Sequence, residues 1–218
     1  MNTSYKKCDI KPWNIPDHNA QKAMIHDLEI MNEKSLDGSA VMLFSDAVHQ
    51  LHTTINGYAV QFKGKKHTKV LSSNTWRRRF TVVWAVNPVT CHTSFVTTDG
   101  MCNQWVIKLL LDQVYIDYKD EIIEWKKIYF ILDNARYQRA KDVQEYAKVL
   151  KIDLCFLPPY CPHLNLIERL RKRLKKKIRN KYISEFSEFC SVITDIIWST
   201  RKSISELTTL LSINFWII

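Results

Sequence analysis

KIYFILDN, residues 127–134, sets five apolar or aromatic side chains in a row between Lys127 and Asp133. A run of this length, rich in aromatic and β-branched residues, reads as a strand buried on both faces, and it finishes on an acid. Toward the C-terminus, a helical pattern over roughly 137–150 leads to a second run, IDLCFLP (152–158). Strands joined through a helix are expected to be parallel, with a right-handed crossover. Toward the N-terminus, VMLFSDAV (41–48) is a similar run with Asp46 near its C-terminal end. Between these runs lie YAVQF (58–62) after an Asn56-Gly57 turn, then RFTVVWAV (79–86) and HTSFVTT (92–98) around Asn87-Pro88. These segments predict an antiparallel meander. Asp99-Gly100 closes it, and Asn103 is placed to cap a helix in which Trp105, Leu109, Val114 and Ile116 mix into a largely buried surface. The order predicts an α/β fold with one mixed sheet flanked by helices.

The flanks follow from the same rules. Residues 1–16 are polar and broken by Pro12 and Pro16, as in an extended lead-in. From Asp17, an N-cap residue, Met24, Leu28 and Met31 recur at helical spacing to about Lys34, and the helix ends near Asp37-Gly38. The chain therefore divides into a lead-in with one short helix, 1–40, and a folded domain, 41–218. After the loop carrying Pro158, Pro159 and Pro162, a basic helix is predicted near 164–181. An apolar stripe of Phe186, Phe189, Ile193 and Ile197 follows Ser184, and a shorter segment lies near 203–211.

With 218 residues, 46% of them hydrophobic, the chain can bury a sizeable core, which excludes a disordered class. Its six cysteines form no CxxC pair and sit in strand- and helix-like contexts, so reduced thiols are expected rather than a disulfide scaffold. Cys161 and His163, taken with His49 and His52, match no standard zinc spacing. No apolar run has the length of a membrane span, and the first residues lack an apolar signal core, so a soluble intracellular protein is expected. The net charge of +10 is concentrated in one place. Nine of the thirteen residues from Arg169 to Lys181 are Lys or Arg with no acid among them, leaving the rest of the chain near neutral. A local cationic block of this kind points to a polyanion.

Three acids stand at comparable places: Asp46 and Asp133 at the ends of apolar runs, and Glu168 where the chain leaves the third run for the basic helix. In open mixed sheets, sites form outside the carboxyl ends of the parallel strands. Taken singly, each acid reads as a turn former or as the complement of a helix N-terminus. Together they repel one another unless a cation or protons neutralise them. All-oxygen donors favour Mg²⁺ or Mn²⁺, and two such ions can clamp the attacking and leaving oxygens of a phosphodiester. On the basic helix, Ile167, Leu170, Leu174 and Ile178 form one narrow apolar stripe, while Glu168, Lys172, Lys175 and Arg179 recur on another face. A polyanion reaching Glu168 would run along that row.

At these residues the chain resembles a family. LDNARYQRAK (132–141) and LPPYCPHLNLIERL (157–170) look like the second and third acidic motifs of the DDE transposases, in the branch of mariner-type elements and related bacterial insertion sequences. FSDAVHQ (44–50) is similar to the motif carrying the first Asp, and 34 residues separate the last two acids, as the resemblance requires. The similarity extends from about residue 40 to the C-terminus. It implies a ribonuclease H-like fold in which Asp46, Asp133 and Glu168 are catalytic and bind two divalent ions, Mg²⁺ or Mn²⁺. The implied chemistry is strand cleavage at transposon ends followed by attack of the freed 3′-hydroxyl on target DNA. The partners implied are those DNAs and a second copy of the chain, with Arg171, Lys172, Lys175, Lys176 and Arg179 as the DNA-binding cations. The setting expected on this resemblance is the cytoplasm of a bacterial host, at the nucleoid.

This sequence departs from the family pattern at Gln138, where His is common, at Cys161 for Ser, at Leu166 for Pro, and at Arg171, where many members have Trp. Family members also begin with helix-turn-helix modules, whereas about 40 residues precede the first strand here. A separate N-terminal segment is therefore expected to supply sequence reading. The chain alone is expected to bind DNA non-specifically, on the order of 10⁻⁴ to 10⁻⁶ M at physiological salt. Two alternatives stand beside this reading: a truncated, catalytically silent DNA-binding remnant, and another ribonuclease H-like nuclease such as a junction resolvase.

Overall fold

The computed structural model describes residues 17–55, 70–74, 78–200, 210–212 and 215. The expected lead-in, the YAVQF strand and most of the segment near 203–211 lie outside these residues. Strands β1 (Ala40–Leu51), β2 (Arg79–Val86), β3 (Thr93–Thr98), β4 (Lys127–Leu132) and β5 (Ile152–Phe156) form one sheet in the order β3-β2-β1-β4-β5. β1, β2 and β3 pair antiparallel, and β4 and β5 run parallel to β1. The mixed sheet follows from the connections: a short turn between β2 and β3, and helical crossovers to β4 and β5.

Alternation along β1 sorts the helices onto two faces. Met42, Phe44 and Val48 join Leu28 of α1 (His18–Leu36), Leu170 and Leu174 of α5 (Ile167–Ile178) and Ile193 of α6 (Phe186–Thr200) in one apolar cluster. Val41, Leu43 and Ala47 face α2 (Gln104–Asp117), α3 (Lys119–Ile123) and α4 (Lys141–Val149) in the other. Asp17 caps α1 by accepting from the Asn19 amide at 2.9 Å, and Gly38 takes φ +78° at the turn into β1, where a side chain would be strained. Among the described residues no helix is long and apolar enough to cross a membrane, and the five described cysteines are free.

Three expectations change. On α2, capped as expected by Asn103, the sheet covers Val106, Ile107, Leu110, Leu111 and Val114, whereas Trp105, Leu109 and Ile116 are exposed. Both faces of α2 are apolar enough to serve, so its periodicity could not choose; the sheet did. α4 begins at Lys141, because residues 135–138 form a turn closed by buried Gln138, whose Oε1 accepts from the Ala135 amide at 3.3 Å. Asp46 is not at the end of its strand: β1 runs five residues further, paired with β2.

Candidate active site

The parallel ladder between β1 and β4 ends at the pair Ser45 and Leu132. One residue further stand Asp46, still within β1, and Asp133, just past the end of β4, on neighbouring strands about 4.8 Å apart. Asp46 is thus at the end of the parallel pairing even though its strand continues against β2. This register is the geometric origin of the site: a slip by one residue would send one acid to the opposite face.

Asn165 brings in the third element. Its side chain, 1% exposed, donates from Nδ2 to the Ser45 carbonyl at 3.0 Å and to Asp133 Oδ1 at 2.9 Å, while its Oδ1 accepts from the Ile167 amide at 3.1 Å. One amide therefore ties β1, the residue after β4 and the first turn of α5. The Glu168 amide donates to the Asn165 carbonyl at 3.2 Å, which seats Glu168 at the start of α5 beside the two aspartates. Ile167, Leu170, Leu174 and Ile178 anchor the other side of α5 in the core, as their spacing predicts. Sequence reasoning passed over Asn165, although an Asn two residues before a helix is a capping signal.

The electrostatics match three acids held together. Burial first, then the charge of Asp133, push the Asp46 carboxyl up to about 7, and Glu168 adds to the rise. The Ala47 amide, donating to Asp46 Oδ1 at 2.6 Å, and the charge of Arg171 work against it. Burial also raises Asp133, with Glu168 adding to the rise; the Asn165 bond and Arg171 oppose it. Burial raises the nearby Tyr137 phenol and Cys102 thiol, and both feel the charge of Asp46. A cleft of about 440 Å³ opens beside Asp133, lined by Asn134, Arg139 and the Leu157–Pro162 loop.

The donor set suits a hard divalent cation, being all oxygen and too negative to remain ionised without one. The three carboxylates lie near enough to feel one another's charge. Among the described residues, no group of three His, Cys, Asp or Glu side chains is gathered around one point. Glu168 is already engaged: its Oε1 accepts from Arg171 Nη1 at 2.9 Å. Among its cationic neighbours, it is the residue three positions along the helix that reaches Glu168. Of the other cations, Lys172, Lys176 and Arg179 are exposed and Lys175 is half-buried, and Arg179 lies one residue past the end of α5 with extended backbone. Gln138 is buried and bonds within its own loop.

Asn165→Ala is expected to leave the Ser45 carbonyl and the Ile167 amide without partners. At roughly 1–3 kcal/mol per buried orphan, the loss of stability is on the order of 2–6 kcal/mol. Asn165→Asp keeps the helix-capping oxygen but sets a like charge against Asp133. It should lower DNA nicking more than it lowers the melting temperature. Melting and nicking profiles of both variants that match wild type would show that Asn165 positions nothing.

The family model for DDE superfamily endonucleases matches residues 41–190. Among solved structures, the Mos1 mariner paired end complex with Mn is similar to this chain with a TM-score of 0.68 and 10% identity, over 97% of this chain and 65% of that one. The Mos1 transposase paired-end complex with left transposon end gives a TM-score of 0.62 and 12% identity, over 100% and 69%. The catalytic domain of Mos1 mariner transposase gives 0.54 and 9%, over 91% and 93%. At these identities the likeness is one of fold, and it bears out the ribonuclease H-like mixed sheet. The chain spans about two thirds of the length of the transposase chains in the paired-end complexes. No curated protein sequence matches it.

Proposed function

The chain belongs to the DDE superfamily endonucleases, and from that premise we propose that it is a transposase catalytic core, cleaving DNA strands and joining a 3′-hydroxyl end to target DNA. The observation that carries the proposal is the β1–β4 register, which sets Asp46 against Asp133, with Asn165 drawing Glu168 to both. In this reading residues 41–218 are the catalytic domain, and Asp46, Asp133 and Glu168 hold Mg²⁺ or Mn²⁺, two ions per site. The solved mariner complexes with Mg and with Mn lend the metal requirement support by analogy. When bound, the ions supply the positive charge that activates a water or hydroxyl and stabilises the leaving oxygen.

The protein's own residues hold and orient the reactants. Strand register holds Asp46 and Asp133 side by side, and Asn165 fixes the Asp133 carboxylate. The cleft beside Asp133 has a volume within the range of small-ligand pockets, and suits a nucleotide flanking the scissile phosphate. Arg139 on its wall is placed to meet that nucleotide's phosphate. Along α5, Lys172, Lys175 and Lys176, with Arg179 just beyond, offer a row of cations to the DNA backbone, and Arg171, bonded to Glu168, adds its charge beside them. Such contacts position DNA without reading its sequence. Transposon ends and target, a second copy of the chain, and a separate sequence-reading segment complete the proposed assembly.

One observation favours a second reading, a catalytically silent DNA-binding member of the family: the Glu168 carboxylate is already engaged by Arg171. The deciding experiment incubates the chain with supercoiled DNA, and separately with a pre-cleaved 3′-hydroxyl end and target, with and without Mn²⁺. Metal-dependent nicks and joined products support the transposase; binding without either supports the silent member; nicks without joining point to another nuclease.

The cationic row has its own test. Replacing Lys172, Lys175 and Arg179 together by Gln should weaken binding to every DNA sequence alike. It should also make the log-log salt dependence on duplex DNA shallower by roughly 0.9 per lost phosphate contact. A slope that does not change would mean that these side chains are merely solvated.

A further inference from the structure

Of the cations on and after α5 offered to DNA, one is turned inward. Arg171 donates to Glu168 across three residues of helix, with the guanidinium side chain 33% and the carboxylate side chain 29% exposed. The grip is single: Nη1 makes the bond, whereas Nε is buried with no hydrogen-bond partner among the described residues. A two-pronged guanidinium–carboxylate pair would be stronger and harder to displace. The positive charge of Arg171 also acts on Asp46 and Asp133, opposing the rise of both carboxyls. One side chain thus partly neutralises all three acids while bonding only the last.

We propose that Arg171 is a tethered counter-ion that competes with the divalent cation for Glu168, so that loading the acidic site requires the guanidinium to let go. The inference rests on the reading of Asp46, Asp133 and Glu168 as the metal site. A fixed single charge satisfies part of the need for positive charge among the acids, which keeps them together without an ion. A divalent ion must outbid it at Glu168. Because the pair is partly exposed and singly bonded, its strength is that of an ordinary surface pair, and the competition should lower metal affinity by about fivefold.

The test is titration calorimetry of Mn²⁺ into the full chain, without DNA, at fixed pH and salt. Arg171→Gln should bind Mn²⁺ about fivefold more tightly than wild type, and Arg171→Lys, which keeps the charge but not the planar donors, should fall between them. Lys172→Gln removes the same charge one residue away without touching Glu168, and its affinity should stay within about twofold of wild type. In a Glu168→Gln background, Arg171→Gln should bring no gain. The proposal is overturned if Arg171→Gln binds no tighter than wild type, or if Lys172→Gln gains as much, which would reduce the effect to a general field. If wild type binds Mn²⁺ through Glu168 but Arg171→Gln is unchanged, the counter-ion inference alone falls. If neither protein binds Mn²⁺, or Glu168→Gln binds like wild type, the metal site itself falls and the inference with it. Circular-dichroism melts of each variant confirm that folded protein is being compared.

Discussion

Asp133→Asn is expected to lower metal-dependent DNA nicking by on the order of a thousandfold or more, while the protein melts within a few degrees of wild type. The substitution keeps the shape of the side chain and an oxygen that can still accept from Asn165 Nδ2, now 2.9 Å from Asp133 Oδ1. What it removes is one of the three negative charges on which cation binding depends in the proposed site. A loss of several kcal/mol of charge stabilisation corresponds to this factor, since each 1.36 kcal/mol is tenfold. Folding does not suffer in proportion, because the neutral amide also relieves repulsion with Glu168 and Asp46. Glu168→Gln should behave alike, and it frees Arg171 as well. Nicking at the wild-type rate in either variant, with Mn²⁺ still required, would remove these acids from the site.

Metal-free protein is expected to lose stability as pH rises from about 4 to about 8, the opposite of the usual behaviour of a paired carboxylate. The Asp46 carboxyl, 9% exposed, titrates near 7 in the folded chain, against about 3.9 when unfolded. The folded state therefore holds a proton that the unfolded state has released. Stability from this group is complete below the unfolded value and is lost as pH climbs through the folded one. Roughly three units at 1.36 kcal/mol each set an upper bound of about 4 kcal/mol, and the raised Asp133 acts in the same direction. Asp46→Asn removes the titration while its side-chain oxygen can still accept from the Ala47 amide. At pH 8 without metal, this variant should melt above wild type by as much as about 10 °C. Added Mn²⁺ should raise the melting temperature of wild type at pH 8 and leave that of Asp46→Asn nearly unmoved. A wild-type melting temperature that climbs with pH, or an Asp46→Asn protein less stable than wild type at pH 8, would contradict the buried, mutually repelling pair.

The apolar runs at 41–48, 79–86, 127–132 and 152–156 each became a strand. A strand buried on both faces has nothing but its own composition and length to declare itself, and both are local. The βαβ connection made the sheet mixed, again by a local rule of handedness and connection length. The stripe of Ile167, Leu170, Leu174 and Ile178 was equally legible, because spacing at three and four residues is the signature of one helix face. Asp133 and Glu168 could be named from the ends of these elements, and Asp46 from its place late in the first apolar run.

Only the tertiary structure decided how those elements meet. Trp105, Leu109 and Ile116 are as apolar as the α2 residues that the sheet covers, so burial there depended on which face the sheet could receive. The alignment of Asp46 with Asp133 is a property of pairing between strands some eighty residues apart, which no local pattern carries. Asn165 and Arg171 looked like a helix-preceding residue and one more cation in a basic block. Their roles come from what lies within 3 Å of their nitrogens: for Asn165 the Ser45 carbonyl and Asp133, for Arg171 the Glu168 carboxylate. Composition and periodicity report which side chains are present and which way an element faces. Hydrogen bonds and short-range charge depend on distances between elements, and those exist only once the chain has packed.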